Sequence, residues 1–186
     1  MCGIFGYVGE KQVVPILLDG LRTLEYRGYD SAGIYVVGQK PVKAVGPIAN
    51  LAELVPEEFP GTTGIAHTRW ATHGAPTVAN AHPHMGAEGA IAIVHNGIIE
   101  NFRELKEGLL AQGITFESET DTEVLAKLIG PLYSGDLKQA VREALKRVRG
   151  TYGLIAASES DPGQIVVGRM GSPVVLGIGA DGNYVS

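Results

Sequence analysis

The chain's one cysteine stands at position 2, where removal of the initiator methionine, usual before a small residue, makes it the terminal residue. A terminal cysteine carries a thiol and an α-amine on the same Cα. With unperturbed pKa values of about 8.5 for the thiol and about 7.7–8.0 for the amine, the amine can take the thiol proton near neutrality, so nucleophile and base share one residue. Gly3-Ile4-Phe5-Gly6 follows as the head of a strand, with glycine allowing a ligand to approach closely. The ordinary alternative for a solitary cysteine is a small buried apolar side chain.

Three further segments could supply the rest of a site. In Arg69-Trp70-Ala71-Thr72-His73-Gly74, the Arg69 guanidinium fork suits a carboxylate held bidentately, with Thr72 and His73 adding hydrogen bonds. The plain alternative is a surface arginine and a packed tryptophan at a strand end. His95-Asn96-Gly97 offers either an Asn-Gly turn or an oxyanion hole made of an amide and a glycine N–H. One such donor is worth roughly 2.7–4 kcal/mol of barrier. In Ser118-Glu119-Thr120-Asp121-Thr122-Glu123, Thr120 and Glu123 form a capping box and Asp121 favours the first helical turn. A carboxylate on that platform can also receive a substrate ammonium group. His67, His73, His82, His84 and His95 raise the possibility of a metal, but clustered acids and cysteines to complete a site are missing from the sequence around them. The expectation is no metal.

The elements that must hold these residues follow from periodicity. Residues 3–8 read as a strand, and Val14, Leu17, Leu18, Leu21 and Leu24 put a helix over 12–25. Strands are expected at 32–37 and 41–45 around the turn Gly38-Gln39-Lys40, with a surface loop at 56–61. Strands 64–69 and 90–95 bracket an irregular segment, 70–89, of the kind that is more often functional than decorative. Helices are predicted over 101–112, 121–133 and 137–148, then strands over 152–157, 164–168 and 174–178. Grouped strands with clustered helices, not a βαβα alternation, indicate layered α+β with antiparallel pairing. Asp181-Gly182 signals a hairpin whose returning strand ends at Ser186. It is expected to lack a partner strand and to leave 183–186 as an exposed edge, as in a piece of a longer protein.

With 45% apolar residues in 186 and sparse mixed charge, the chain has enough hydrophobic content for its own core and is not disordered. A formal charge of −5 and the lack of a basic block argue against nucleic acid as a partner. No apolar run approaches the roughly 20 residues of a membrane span, and the first residues do not read as a signal peptide. A single cysteine indicates no disulfide framework. The reading is an intracellular, cytoplasmic protein without a membrane partner.

Taken together, Cys2-Gly3-Ile4, Arg69 to Gly74, His95 to Asn101 and Ser118 to Glu123, in this order along nearly the whole chain, resemble the class II glutamine amidotransferase domain. Leu24-Glu25-Tyr26-Arg27-Gly28-Tyr29-Asp30-Ser31-Ala32-Gly33 is similar to the glutamine–fructose-6-phosphate aminotransferase branch. Amidophosphoribosyltransferases have His and Gln where Tyr26 and Tyr29 stand. The resemblance implies the N-terminal nucleophile (Ntn) hydrolase fold, an αββα sandwich of two antiparallel sheets. It also implies a glutaminase domain over 2–186, truncated at its C-terminal end and separated from the sugar-isomerase domains of a homodimeric full-length enzyme.

By the same resemblance, Cys2 attacks the side-chain amide of L-glutamine to form a γ-glutamyl thioester, and its α-amine serves as base and proton donor. Asn96 and the Gly97 N–H stabilise the oxyanion. Arg69, Thr72 and His73 hold the α-carboxylate, and Asp121 takes the α-ammonium. Trp70 gates the departure of ammonia and Arg27 orders the surroundings of the nucleophile. No cofactor is implied. A chain keeping Met1 has an amide in place of the amine and is expected to be inactive. The alternatives are a different class II amidotransferase such as amidophosphoribosyltransferase, a glutamine-binding but inactive fragment, and a metal-dependent hydrolase using the histidines.

Overall fold

The computed structural model describes residues 2–28, 30–70 and 74–186. The strands are β1 (Gly3–Gly9), β2 (Ser31–Val36), β3 (Val42–Val45), β4 (Thr63–Arg69), β5 (His84–Gly86), β6 (Ile91–Ile99), β7 (Gly150–Ser158), β8 (Asp161–Met170), β9 (Leu176–Ile178) and β10 (Gly182–Val185). The helices are α1 (Val13–Leu24), α2 (Ile48–Leu54), α3 (Phe102–Leu110), α4 (Asp121–Ile129) and α5 (Leu137–Leu145). One sheet has the order β3-β2-β4-β1-β10-β9 and the other β5-β6-β7-β8. Neighbouring strands run antiparallel in both.

Strand alternation explains the layers. Successive side chains point to opposite faces of a sheet, so each buried strand feeds two cores. From β1, β2, β4 and β10, Ile4, Tyr35, Ile65 and Val185 meet Ala92, Val94, Ile155 and Ala157 of β6 and β7 between the sheets. The opposite face of the first sheet, with Tyr7, Ile34 and Ala66, packs on Val13, Leu17 and Leu21 of α1 and Ile48 and Leu51 of α2. The outer face of the second sheet, with Ile91, Ile93 and Leu154, packs on α4 and α5 through Val124, Leu125, Ile129 and Val141. Helices cover both outer faces, giving the αββα sandwich expected from the resemblance. Each large aliphatic side chain fully buried in these layers contributes roughly 1.5–3 kcal/mol.

Several boundaries differ from the sequence reading. α2 and β5 were not expected. α2 is one short amphipathic stretch after Pro47 with only Ile48 and Leu51 buried, and β5 has three residues. α4 ends at Ile129 and a 3-10 turn, Gly130–Leu132, finishes the expected helix. β6 does not stop at His95: it pairs with β7 from Ile91↔Ser158 through Ile99↔Gly150, so Asn96-Gly97 is strand and not a turn. The expected hairpin at Asp181-Gly182 is present, but β10 pairs with β9 on one side and with β1 on the other. The exposed edge is therefore β9, not 183–186, because β10 returns into the gap between β9 and β1.

Candidate active site

The same alternation that builds the inner core also ends it. On β4 the inner face reads Ile65, His67, Arg69, and on β6 it reads Ala92, Val94, Asn96. The aliphatic residues lie inside and the polar ones follow at the rim of the sandwich. Gly3 of β1 pairs with Thr68 of β4, which places Cys2 beside Arg69 and Trp70. The Trp70 backbone N–H donates to Cys2 Sγ at 3.2 Å, and Sγ lies 3.6 Å from the Trp70 carbonyl. The end of β4 thus holds the sulfur by its main chain.

Asn96 reaches across from the second sheet, and its Nδ2 donates to the Cys2 carbonyl at 3.2 Å. An amide nitrogen carries two hydrogens, so one stays available beyond that bond. Gly97 has φ 134°, and a Cβ there would sit 2.0 Å from the Thr151 carbonyl oxygen. Only glycine fits this position. Asp121 opens α4 behind the N-cap Thr120, whose Oγ1 accepts from Glu123 N at 3.3 Å. Asp121 Oδ2 accepts from the Ile99 N–H at 2.8 Å, which docks the start of α4 on the end of β6. The Glu123 carboxylate accepts from Glu117 N and Ser118 N. It secures the loop ahead of the helix instead of closing back on Thr120, a variation on the expected capping box.

Arg69 is buried. Its Nη1 donates to the Ala75 carbonyl at 3.2 Å and its Nη2 to that of Gly74 at 3.3 Å. Burial lowers its pKa, and the negative charges of Cys2, Asp30, Asp121 and Glu119 act in the opposite direction. Trp70 is half exposed and lies over Gly28, where a Cβ would come within 2.4 Å of Trp70 Cε3. Arg27 ends the 3-10 turn just before Gly28. Arg27 is not among the residues that line the cavity around Cys2. Thr72 and His73 lie outside the described residues.

Cys2, Arg69, Trp70, Asn96, Gly97 and Asp121 line one cavity of about 50 Å³. A larger cavity of about 680 Å³, with Lys43, His84, Glu117, Ser118 and Glu123 on its walls, contains neither the cysteine nor the arginine and Asn-Gly groups that converge on the smaller one. The chemistry singles out the smaller one. A thiol, an amide NH2, a glycine backbone, a guanidinium and a carboxylate face one cavity, a set that has the chemistry to hold a free α-amino acid by its two charges and attack a side-chain carbonyl.

Four histidines lie buried beneath. His67 and His82 stack with ring centroids 4.0 Å apart, and His84 meets His82 edge-on at 4.9 Å. His84 Nε2 lies 2.9 Å from Thr120 Oγ1 and His95 Nδ1 lies 2.9 Å from Thr122 Oγ1. The His82 Nδ1 accepts from His95 N at 3.4 Å. Burial lowers the pKa of all four, that of His67 to about 3. Among the described residues no group of three or more His, Cys, Asp or Glu is arranged to hold a metal ion. No helix among them is long and apolar enough to cross a membrane. Sequence reasoning did not find the Trp70 N–H, the Asp121–Ile99 bond or the place of His67. Main-chain donors leave no mark in a sequence, and His67 could be read there only as a possible metal ligand.

The profile of the glutamine amidotransferase domain family matches residues 67–172, a little over half of the chain. The chain belongs to this family. The domain is 56% identical over 190 residues to a glutamine–fructose-6-phosphate aminotransferase (isomerizing) of Thermus thermophilus, covering 100% of this chain and 31% of that protein. It is 50% identical over 194 residues to the enzyme of the same name from Chlorobaculum tepidum, covering 99% and 31%. The chain thus spans about a third of the length of the curated relatives it matches. Among solved structures it is similar to the glutamine phosphoribosylpyrophosphate amidotransferase of B. subtilis, with a TM-score of 0.81 and 28% identity over 100% of this chain and 41% of that one. The fold of the domain is that of the Ntn-type amidotransferases.

Proposed function

We propose that the domain hydrolyses L-glutamine to L-glutamate and ammonia through a γ-glutamyl thioester on Cys2, once Met1 has been removed. The observation that carries this is the convergence on one cavity of Cys2, Arg69, Asn96, Gly97 and Asp121, drawn from four separate segments. In the forward step the Cys2 thiolate attacks the carboxamide carbon and a C–S bond forms. The carbonyl electron pair moves onto oxygen, where the second Asn96 amide hydrogen and the Gly97 N–H meet it. Collapse of this adduct breaks the C–N bond, and the Cys2 α-ammonium gives its proton to the departing ammonia. Water, deprotonated by the same amine, then adds to the thioester and releases glutamate and the thiol.

Substrate choice rests on charge. Arg69, with Thr72 and His73, takes the α-carboxylate and Asp121 the α-ammonium, so a free amino acid is accepted and a glutamine within a polypeptide is refused. Trp70, supported by Arg27 and Gly28, covers the exit of ammonia. The likeness to the aminotransferases supports a longer protein. In it a sugar-isomerase domain takes up the ammonia to make glucosamine-6-phosphate from fructose-6-phosphate, in a cytoplasmic homodimer with no nucleic-acid or membrane partner. The test is glutamate release by the Met1-free protein beside its Cys2→Ala and Asp121→Ala variants. Cys2→Ala is expected to abolish turnover and Asp121→Ala to raise the glutamine requirement. Turnover retained by Cys2→Ala overturns the reading.

A further inference from the structure

We propose that His67 is a positioning residue for the oxyanion hole: as a neutral imidazole protonated on Nε2, it fixes the Asn96 amide so that Nδ2 faces Cys2. The inference deepens the reading of Asn96 given above and rests on it.

The hydrogen-bond geometry allows one assignment. Asn96 has Cys2 O at 3.2 Å from one end of its amide and His67 Nε2 at 2.9 Å from the other. A carbonyl oxygen only accepts, so the end facing Cys2 must be the NH2. The end facing His67 is then the oxygen, and His67 Nε2 must donate to it. A second acceptor, the His95 carbonyl, lies 3.1 Å from the same nitrogen, so Nε2–H serves two acceptors and the Nδ1–H tautomer would leave three lone pairs confronting one another. In the required tautomer Nδ1 bears a lone pair, and that buried atom has no hydrogen-bond partner. The imidazole is therefore held by Nε2 and by its stack on His82. An amide rotor left alone can turn over, and a turned Asn96 would present its oxygen to the developing oxyanion. Burial keeps the ring neutral, with a pKa of about 3, so a single proton sits on one nitrogen and the tautomer decides which way the bond to Asn96 runs.

Two experiments test the inference on the Met1-free protein. The first is the tautomer of His67 in the unsubstituted protein, read from its ring nitrogens by NMR at neutral pH. Nε2–H is expected, and Nδ1–H overturns the proposal without reference to activity. The second is a double-mutant cycle with His67→Leu, His67→Gln and Asn96→Ala. Loss of an oxyanion donor in Asn96→Ala is expected to lower kcat by roughly 10²–10³-fold. His67→Leu is expected to lower kcat by about 10–10²-fold with KM for glutamine changed less than about threefold, short of the full loss because the donor is misdirected and not removed. His67→Gln, whose amide nitrogen can occupy the place of Nε2, is expected to recover most of the rate. On the Asn96→Ala background, His67→Leu should cost nothing further. Equal losses on both backgrounds, or no recovery by His67→Gln, overturn the proposal; if His67→Leu does not fold, the tautomer and the His67→Gln rate decide it. If Asn96→Ala itself retains full activity, what fails is the oxyanion role of Asn96.

Discussion

Replacing Asp121 by asparagine removes one charge at nearly constant shape. One carboxylate oxygen, Oδ2, is engaged by the Ile99 N–H at 2.8 Å, and the other, Oδ1, lies 3.4 Å from Thr122 Oγ1. An amide has a single oxygen, which the Ile99 N–H claims. The remaining NH2 would meet the substrate ammonium donor to donor. A hydrogen bond to a charged group is worth a net 1.5–3 kcal/mol or so, which corresponds to a roughly 10- to 150-fold weaker Kd. The unscreened attraction at 4 Å, about 4 kcal/mol at an effective dielectric of 20, sets the ceiling. The cost to folding is small, since an acidic residue in the first turn of a helix contributes about 0.3–1 kcal/mol. Steady-state glutamate release gives kcat and KM, and calorimetry on the Cys2→Ala background gives Kd without turnover. Asp121→Asn is expected to raise KM and Kd together by tens of fold and to leave kcat within about threefold. An unchanged Kd, or a collapse of kcat at constant KM, would refute ammonium recognition by Asp121.

Other consequences follow from the same contacts. Thr120→Ala removes the cap on Glu123 N and the partner of His84 Nε2, and urea denaturation should show a loss of about 2–3 kcal/mol. Gly97→Ala forces a Cβ against the Thr151 carbonyl at a φ of 134°. β6 must shift there, and kcat is expected to fall by about 10²-fold or more through loss of an oxyanion donor. Acid should destabilise the fold. The four buried histidines have pKa values below the ordinary one, so the unfolded chain binds more protons below about pH 6.5 and stability declines as pH falls toward their folded values. For His67, with its folded pKa of about 3, the loss between pH 7 and pH 5 is about 2 kcal/mol. Equal urea midpoints at pH 7 and pH 5 would contradict this.

Local pattern carried most elements, because α1, α4 and α5 have helical stripes and β1, β2 and β4 are bounded by glycine or polar turns. Pairing across the chain was not legible. Nothing near Asn183 announces that β10 closes the gap beside β1, and nothing in Asn96-Gly97 shows that β7 lies alongside to keep the pair extended. The short α2 and β5 have too few apolar residues to show a period. At the site, Cys2, Arg69, Asn96, Gly97 and Asp121 were identifiable by side-chain chemistry and by resemblance, and they come together in the fold. What holds them was not identifiable: the Trp70 N–H at the sulfur, the Ile99 N–H at Asp121 and His67 behind Asn96 are relations between distant segments.

In the proposed reaction the Cys2 thiol acts with a free amine on its own Cα. Acid-quenched intact-mass analysis of the protein mixed with glutamine, run side by side on Met1-free and Met1-retaining chains, reads that dependence at the sulfur itself. One γ-glutamyl group on Cys2 and continuing glutamate release are expected in the Met1-free chain, with neither in the Met1-retaining chain. Equal acylation and turnover of both forms would contradict it.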